Sequence, residues 1–164
     1  MTPTELVTDL LASHGIDFAF HDGAVVARVP GDRKLVTNVV FCFGRHGVRV
    51  EAFVCRRPDE NFEGVYGFLL RRNRRLYGVA YTLDNMGDIY LVGRMAADAL
   101  TAAHIDRVLG QVVEAVNADF NPLLELGFAT SIRKEWAWRV ANGESLRNLE
   151  AFEHLIPVSP DGDA

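Results

Sequence analysis

Cysteine is scarce: Cys42 and Cys55 are the two in 164 residues, and no CxxC spacing joins them. A disulfide scaffold is excluded, and free thiols in a reducing cytoplasm are expected. Long apolar runs are also missing. The longest, LVTNVVFCF, is interrupted by Thr37 and Asn38 and falls well short of the roughly 18 residues that cross a bilayer, so no membrane association is expected. The amino-terminal MTPTELVTDLL carries Glu5 and Asp9 where a secretory leader would carry lysine or arginine, and export is not expected either.

Catalytic signatures are equally sparse. The five histidines, at 14, 21, 46, 104 and 154, form no HxH, HxxxH or HExxH pattern and have no cysteine at ligand spacing. There is no GxxxxGK[ST] loop, no GxGxxG turn following a strand, and no GxSxG elbow. Asp84 and Asp88 flank a turn, but the terminal glutamate of a calcium loop is absent, and turn chemistry accounts for them. The expectation is a protein without cofactor, metal or enzymatic activity. A net charge of −5 makes nucleic acid an unlikely partner overall.

What is present describes a globular chain, with 49% hydrophobic and 24% charged residues. Residues 3 to 14 form an amphipathic helix through Leu6, Leu10 and Leu11, with Thr2 as cap and Gly15 after the end. From Phe18 the apolar period becomes two, across DFAFH, AVVARVP, KLVTNVVFCF and GVRVEAFVC. Around the GRHG turn, pairing Phe43 with Val48 also pairs Phe41 with Val50, Val39 with Ala52 and Thr37 with Val54. One face comes out apolar, and a one-residue slip would destroy that sorting. A helix is expected from Pro58 to Leu76, then a hairpin turning at Asp84 to Gly87. Further helices are expected over Ala102 to Val116, from Pro122 through EWAWRVANG, and across SLRNLEAFEHL. The order reads as one α+β domain over residues 1–156, an antiparallel sheet with helices packed on it, followed by a loose polar tail over 157–164.

LLRRNRRLYG is the most basic stretch, with four arginines in five positions. On a helical wheel Arg71, Arg74 and Arg75 point away from the apolar stripe and Arg72 lies at its edge. These arginines suit either a solvated helix end that complements the macrodipole or a site for an anion or acidic partner. Asn73 falls within the stripe, where its amide must find partners, either in a neighbouring strand or in a ligand. Gly64 and Gly67, beside Phe68 on the back of the helix, either leave room for a second backbone in a homodimer contact or are tolerated as imperfections of a surface helix. If Leu83 pairs with Asp88 in the second hairpin, Tyr81 meets Tyr90 and Tyr77 meets Arg94. That amphipathic face fits either the terminal helices or a protein or peptide partner. Trp138 points away from the Ile132, Trp136, Val140 stripe and joins the candidate binding residues.

The stretch from EAFVCRRPDENFEGVYGFLLRRNRRLYGVAYTLDNMGDIYLVGRM into FNPLLELGFATSIRKEWAWRVANGESLRNLEAF resembles the actinobacterial branch of the YbjN-like family of bacterial sensory transduction regulators, over residues 5 to 155. The resemblance implies a fold similar to type III secretion chaperones and a tendency to homodimerise. It supplies no catalytic residues. The helices after residue 120 exceed a minimal chaperone-like unit. The expected function is a non-enzymatic chaperone-like or regulatory module that binds a protein or peptide; the alternative is an anion or nucleic-acid binder using the Arg71 to Arg75 run.

Overall fold

Alternation between Phe18 and Cys55 becomes four strands, β1 (Asp17–His21), β2 (Ala24–Pro30), β3 (Val36–Gly44) and β4 (Gly47–Cys55). They belong to a computed structural model that describes residues 1–157; the rest of the expected tail, 158–164, lies outside the described residues. α1 (Pro3–Ser13) precedes the strands. After them come α2 (Phe62–Asn73), β5 (Ala80–Leu83), β6 (Ile89–Ala96), α3 (Ala102–Gly127) and α4 (Ala129–Asn142). Short 3-10 segments span Ala97–Ala99 and Arg147–Leu155, the second where an α-helix is expected. The strands form one antiparallel sheet in the order β1-β2-β3-β4-β6-β5. The α+β class is as expected.

In the β3–β4 hairpin Phe43 pairs with Val48, Phe41 with Val50 and Val39 with Ala52, as the alternation requires. That register buries Val39, Phe41, Val48, Val50 and Ala52 on one face. Helices α1, α2 and α3 cover it: Val7 and Leu11, Val65 and Leu69, and the α3 stripe Ile105, Val108, Val112, Ala115 and Leu123 join the same core. Each large apolar side chain so buried contributes about 1.5–3 kcal/mol. The start of α1 is fixed by a reciprocal cap, in which Glu5 N donates to Thr2 Oγ1 at 3.1 Å and Thr2 N to Glu5 Oε2 at 2.7 Å.

Helix α2 is shorter than the Pro58 to Leu76 expectation because the acids that look like its first turn serve another helix. Ser131 Oγ donates to Asp59 Oδ2 at 2.6 Å, and Thr130 N and Oγ1 donate to the Glu60 carboxylate at 2.7 and 3.0 Å. Both donors lie at the start of α4, where the macrodipole favours negative charge. The Asp59 and Glu60 amides also donate to Gly127 O at 3.0 and 3.3 Å. Gly127 has no room for a side chain, since a Cβ would stand 3.0 Å from Pro58 Cβ and 3.2 Å from Val65 Cγ2. Loop 56–61 is thus buckled to the α3–α4 joint.

Helix α3 runs unbroken through Pro122, where two helices are expected. Its buried stripe continues across the proline, from Ala115, Val116 and Asp119 to Leu123, so packing offsets the lost hydrogen bond. The second hairpin pairs Leu83 with Ile89, Thr82 with Tyr90, Tyr81 with Leu91 and Ala80 with Val92, one residue from the expected register. The reason is its turn: Asp84 N donates to Asp88 O at 3.0 Å, leaving a three-residue loop that closes with Gly87 at φ +85°. Asp84 Oδ1 also accepts from the Met86 and Asp88 amides at 2.9 Å.

Candidate binding surface

The slip reverses Tyr81. It is 6% exposed on the helix-covered face, while Tyr90 stands on the opposite face, edge-on to Phe53 with ring centroids 5.4 Å apart. The continuous tyrosine face therefore does not form. The Tyr81 hydroxyl instead donates to Asp119 Oδ2 at 2.8 Å, and burial followed by the Asp119 charge raises its pKa far above the ordinary phenol value. Asp119, 3% exposed on α3, also has Arg72 Nε 2.8 Å from Oδ1. That N–H does not aim at the carboxylate, so the contact is one of charge rather than a hydrogen bond. Asp119 escapes a sequence reading, although a carboxylate set in an apolar helical stripe signals a buried partner.

The arginine run is thereby divided. Arg72 is half-buried and held internally, whereas Arg71, Arg74 and Arg75 are exposed at the end of α2. Asn73 closes the helix onto β5: Tyr81 N donates to its Oδ1 at 2.7 Å and its Nδ2 donates to Tyr81 O at 3.2 Å. Tyr77 precedes β5 and is exposed; it does not pair with Arg94. Trp138, exposed on α4, is separate from these groups. On α2, Gly64 faces the Asn61 side chain and Gly67 the Arg71 guanidinium, and Phe68 is half-buried against the core. These three residues do not present one vacant surface.

The face of the sheet opposite the helices is the surface that sequence patterning leaves undervalued. The pairings align Ala19, Val26, Val40, Glu51, Val92 and Ala80 in one row across all six strands, apolar except for Glu51. No helix covers it. α4 and the 3-10 segment Arg147–Leu155 pack on α3, sending Phe128, Ile132 and Phe152 into the helix-side core. On one side of the row lie Phe53 and Tyr90, and on the other Arg49 opposes Arg94. Arg49 Nε reaches Glu51 Oε1 at 3.4 Å, and its terminal nitrogen lies 3.7 Å from Cys42 Sγ.

One edge of this face is pinned by Lys34. Its Nζ donates to Phe53 O at 2.8 Å and Val54 O at 2.9 Å, where β4 loses regular register between Phe53 and Cys55. Partial burial lowers the Lys34 pKa, and burial pushes the Cys55 thiol up to about 11. Cys55 is therefore a packed neutral thiol at neutral pH. Among the described residues no group of three histidine, cysteine, aspartate or glutamate side chains is placed to hold a metal ion, and no helix is long and apolar enough to cross a membrane.

Three comparisons place this geometry among known proteins. An uncharacterized protein of Mycobacterium tuberculosis is 65% identical over 136 residues, covering 83% of this chain and 74% of the relative. A chain of the heterodimeric ExoU–SpcU complex from the type III secretion system of Pseudomonas aeruginosa superposes with a TM-score of 0.53 at 17% identity, covering 73% of this chain and 96% of that one. YbjN of E. coli superposes with a TM-score of 0.52 at 15% identity, covering 71% and 89%. The fold is that found in type III secretion chaperone complexes. The YbjN model, described as "Putative bacterial sensory transduction regulator", matches residues 3–125, up to the last turn of α3, and the chain belongs to the YbjN family.

Proposed function

We propose that this protein is a non-enzymatic binding module of the cytoplasm that recognises a protein or peptide partner on the open face of its sheet and works as a homodimer. The observation that carries the reading is the row from Ala19 to Ala80, apolar except for Glu51 and crossing six strands with no helix of the described residues above it. Apolar surface shared between neighbouring strands is what a second protein covers most favourably. The neighbouring Phe53–Tyr90 pair supplies aromatic anchors with a polar tip. Structural neighbours include chaperone–effector complexes, which supports binding of a polypeptide rather than turnover of a substrate.

The test is affinity capture from the source organism with wild type and Val92→Asp, identified by mass spectrometry. Partners of the row are lost with Val92→Asp while the melting temperature falls by only a few degrees, and wild-type capture changes little with added salt. Capture that survives Val92→Asp, or that collapses steeply with ionic strength, overturns the reading in favour of an electrostatic site such as Arg71, Arg74 and Arg75. Sedimentation of wild type as a monomer at high concentration removes the homodimer.

A further inference from the structure

We propose that the cleft between the β3–β4 turn and the end of β6 binds a small organic phosphate, held by Arg45, Arg49 and Arg94. The site goes beyond partner binding and stands independently of it. Its floor follows from the register: Gly44 pairs with Gly47 and Gly47 with Ala96, three consecutive positions on the open face that carry at most a methyl group. Gly47 is required there, because at φ +148° a Cβ would collide with the Met95 carbonyl. Gly44 opens into free space, its Cβ position meeting only Gly47 O at 3.8 Å. Cys42, Arg49 and Arg94 form the next row on the same face, and Arg45 and His46 close the end of the cleft. The cleft is open to solvent and offers a volume of ≈ 570 Å³, within the range of about 300–1,000 Å³ typical of small-molecule sites.

Charge selects the ligand. Arg49 and Arg94 stand directly opposite each other on adjacent strands, about 5 Å apart at Cα, an arrangement that repels unless an anion lies between them. Glu51 answers one of them, approaching Arg49 at 3.4 Å. Among the described residues, Arg94 and Arg45 have no carboxylate within 4.0 Å. Two uncompensated guanidinium groups match the charge of about −1.5 to −2 on a phosphate monoester, whose three oxygens suit their planar donor forks. A long polyanion is disfavoured, because the chain carries −5 overall and Glu51 stands in the adjoining row.

Titration of the full-length 15N-labelled protein with O-phosphoserine and with inorganic phosphate, against chloride at matched ionic strength, tests the site. Amide shifts are expected to saturate at Arg45, His46, Gly47, Arg94 and Ala96 with phosphoserine but not with chloride. Arg94→Gln should weaken the apparent affinity at least about tenfold, the loss of one charge-assisted contact. It should also leave the melting temperature unchanged or raise it by relieving the opposed charges, and Arg74→Gln should change neither quantity. Equal response to chloride, shifts spread alike over the end of α2, or unchanged affinity in Arg94→Gln overturns the assignment. Saturation of the same amides by a hexaglutamate peptide or a short oligonucleotide at lower concentration than phosphoserine also overturns it, assigning the cleft to an acidic segment or to nucleic acid.

Discussion

Phe41 is fully buried beneath the helices, whereas Val40, one residue earlier on β3, is half exposed on the opposite face. The same contrast separates Val50 from Arg49 and Leu91 from Val92. Two faces made from alternate residues of the same strands thus have different duties. The covered face is apolar, and the carboxylate buried behind it, Asp119 on α3, is answered by Arg72 and Tyr81. The open face leaves apolar groups uncovered and guanidinium groups unanswered, at little cost to the fold. Interactions left unsatisfied inside would destabilise the chain, while those left unsatisfied on a wet face are available to a ligand.

The sharpest way to break this contrast is to truncate neighbouring residues. Phe41→Ala should cost about 3–5 kcal/mol in chemical denaturation, combining lost burial with a cavity, and Val40→Ala should cost less than about 1 kcal/mol. Similar losses at both sites would mean that the open face is covered in solution, for instance by a second copy.

The arginine run offers a smaller version of the same comparison. Arg72→Ala leaves the Asp119 carboxylate buried with the Tyr81 hydroxyl as its remaining partner and should cost about 3 kcal/mol, reduced where solvent reaches the arginine. Arg74→Ala, two positions away and exposed, should change stability by no more than about 0.5 kcal/mol. Equal effects would dissolve the division of the run into one internal and three outward-facing charges.

The smallest effect is expected where the loop before α2 meets α4, and pH reads it. The Arg56 side chain, and then Ser131, hold Asp59 below its ordinary 3.8, to about 2; the Thr130 backbone N–H lowers Glu60. A carboxylate with a lowered folded pKa stabilises the fold above its ordinary value and loses that contribution as pH falls towards the folded one. Contacts holding α4 should therefore weaken between pH 3.8 and about 2. Both tryptophans, Trp136 and Trp138, lie on α4, so their fluorescence should change across this window, and Asp59→Asn should diminish that change. A fluorescence transition unaffected by Asp59→Asn would show that the joint is held by packing alone.

Much of the fold could be read from the chain before any coordinates. Strand alternation fixed the β3–β4 register because a slip would have exposed Phe41, Val39 and Val50, and Thr2 as cap with Gly15 after the end announced α1. The second hairpin departs by one residue from the register expected with Leu83 opposite Asp88, because the Asp84 side chain and the positive φ of Gly87 set a three-residue turn. Of the candidate binding residues, Arg94 alone could be connected to the proposed cleft, and then without Arg45 or Arg49, because three strands must first pair before these arginines share a face.

The sequence by itself determined the amphipathic helix α1, the alternating strands from Phe18 to Cys55 with the GRHG turn between β3 and β4, and that Asn73 must find hydrogen-bond partners. Those are consequences of periodicity, backbone preference and the cost of an unpaired amide, all local to a few residues. Only the tertiary structure decided that Asp59 and Glu60 serve α4 rather than α2, that Arg72 alone turns inward to Asp119, and that one face of the sheet stays open. Each depends on groups distant in the chain being brought within hydrogen-bond or van der Waals range, and distances of that kind are set by packing, which no single segment contains.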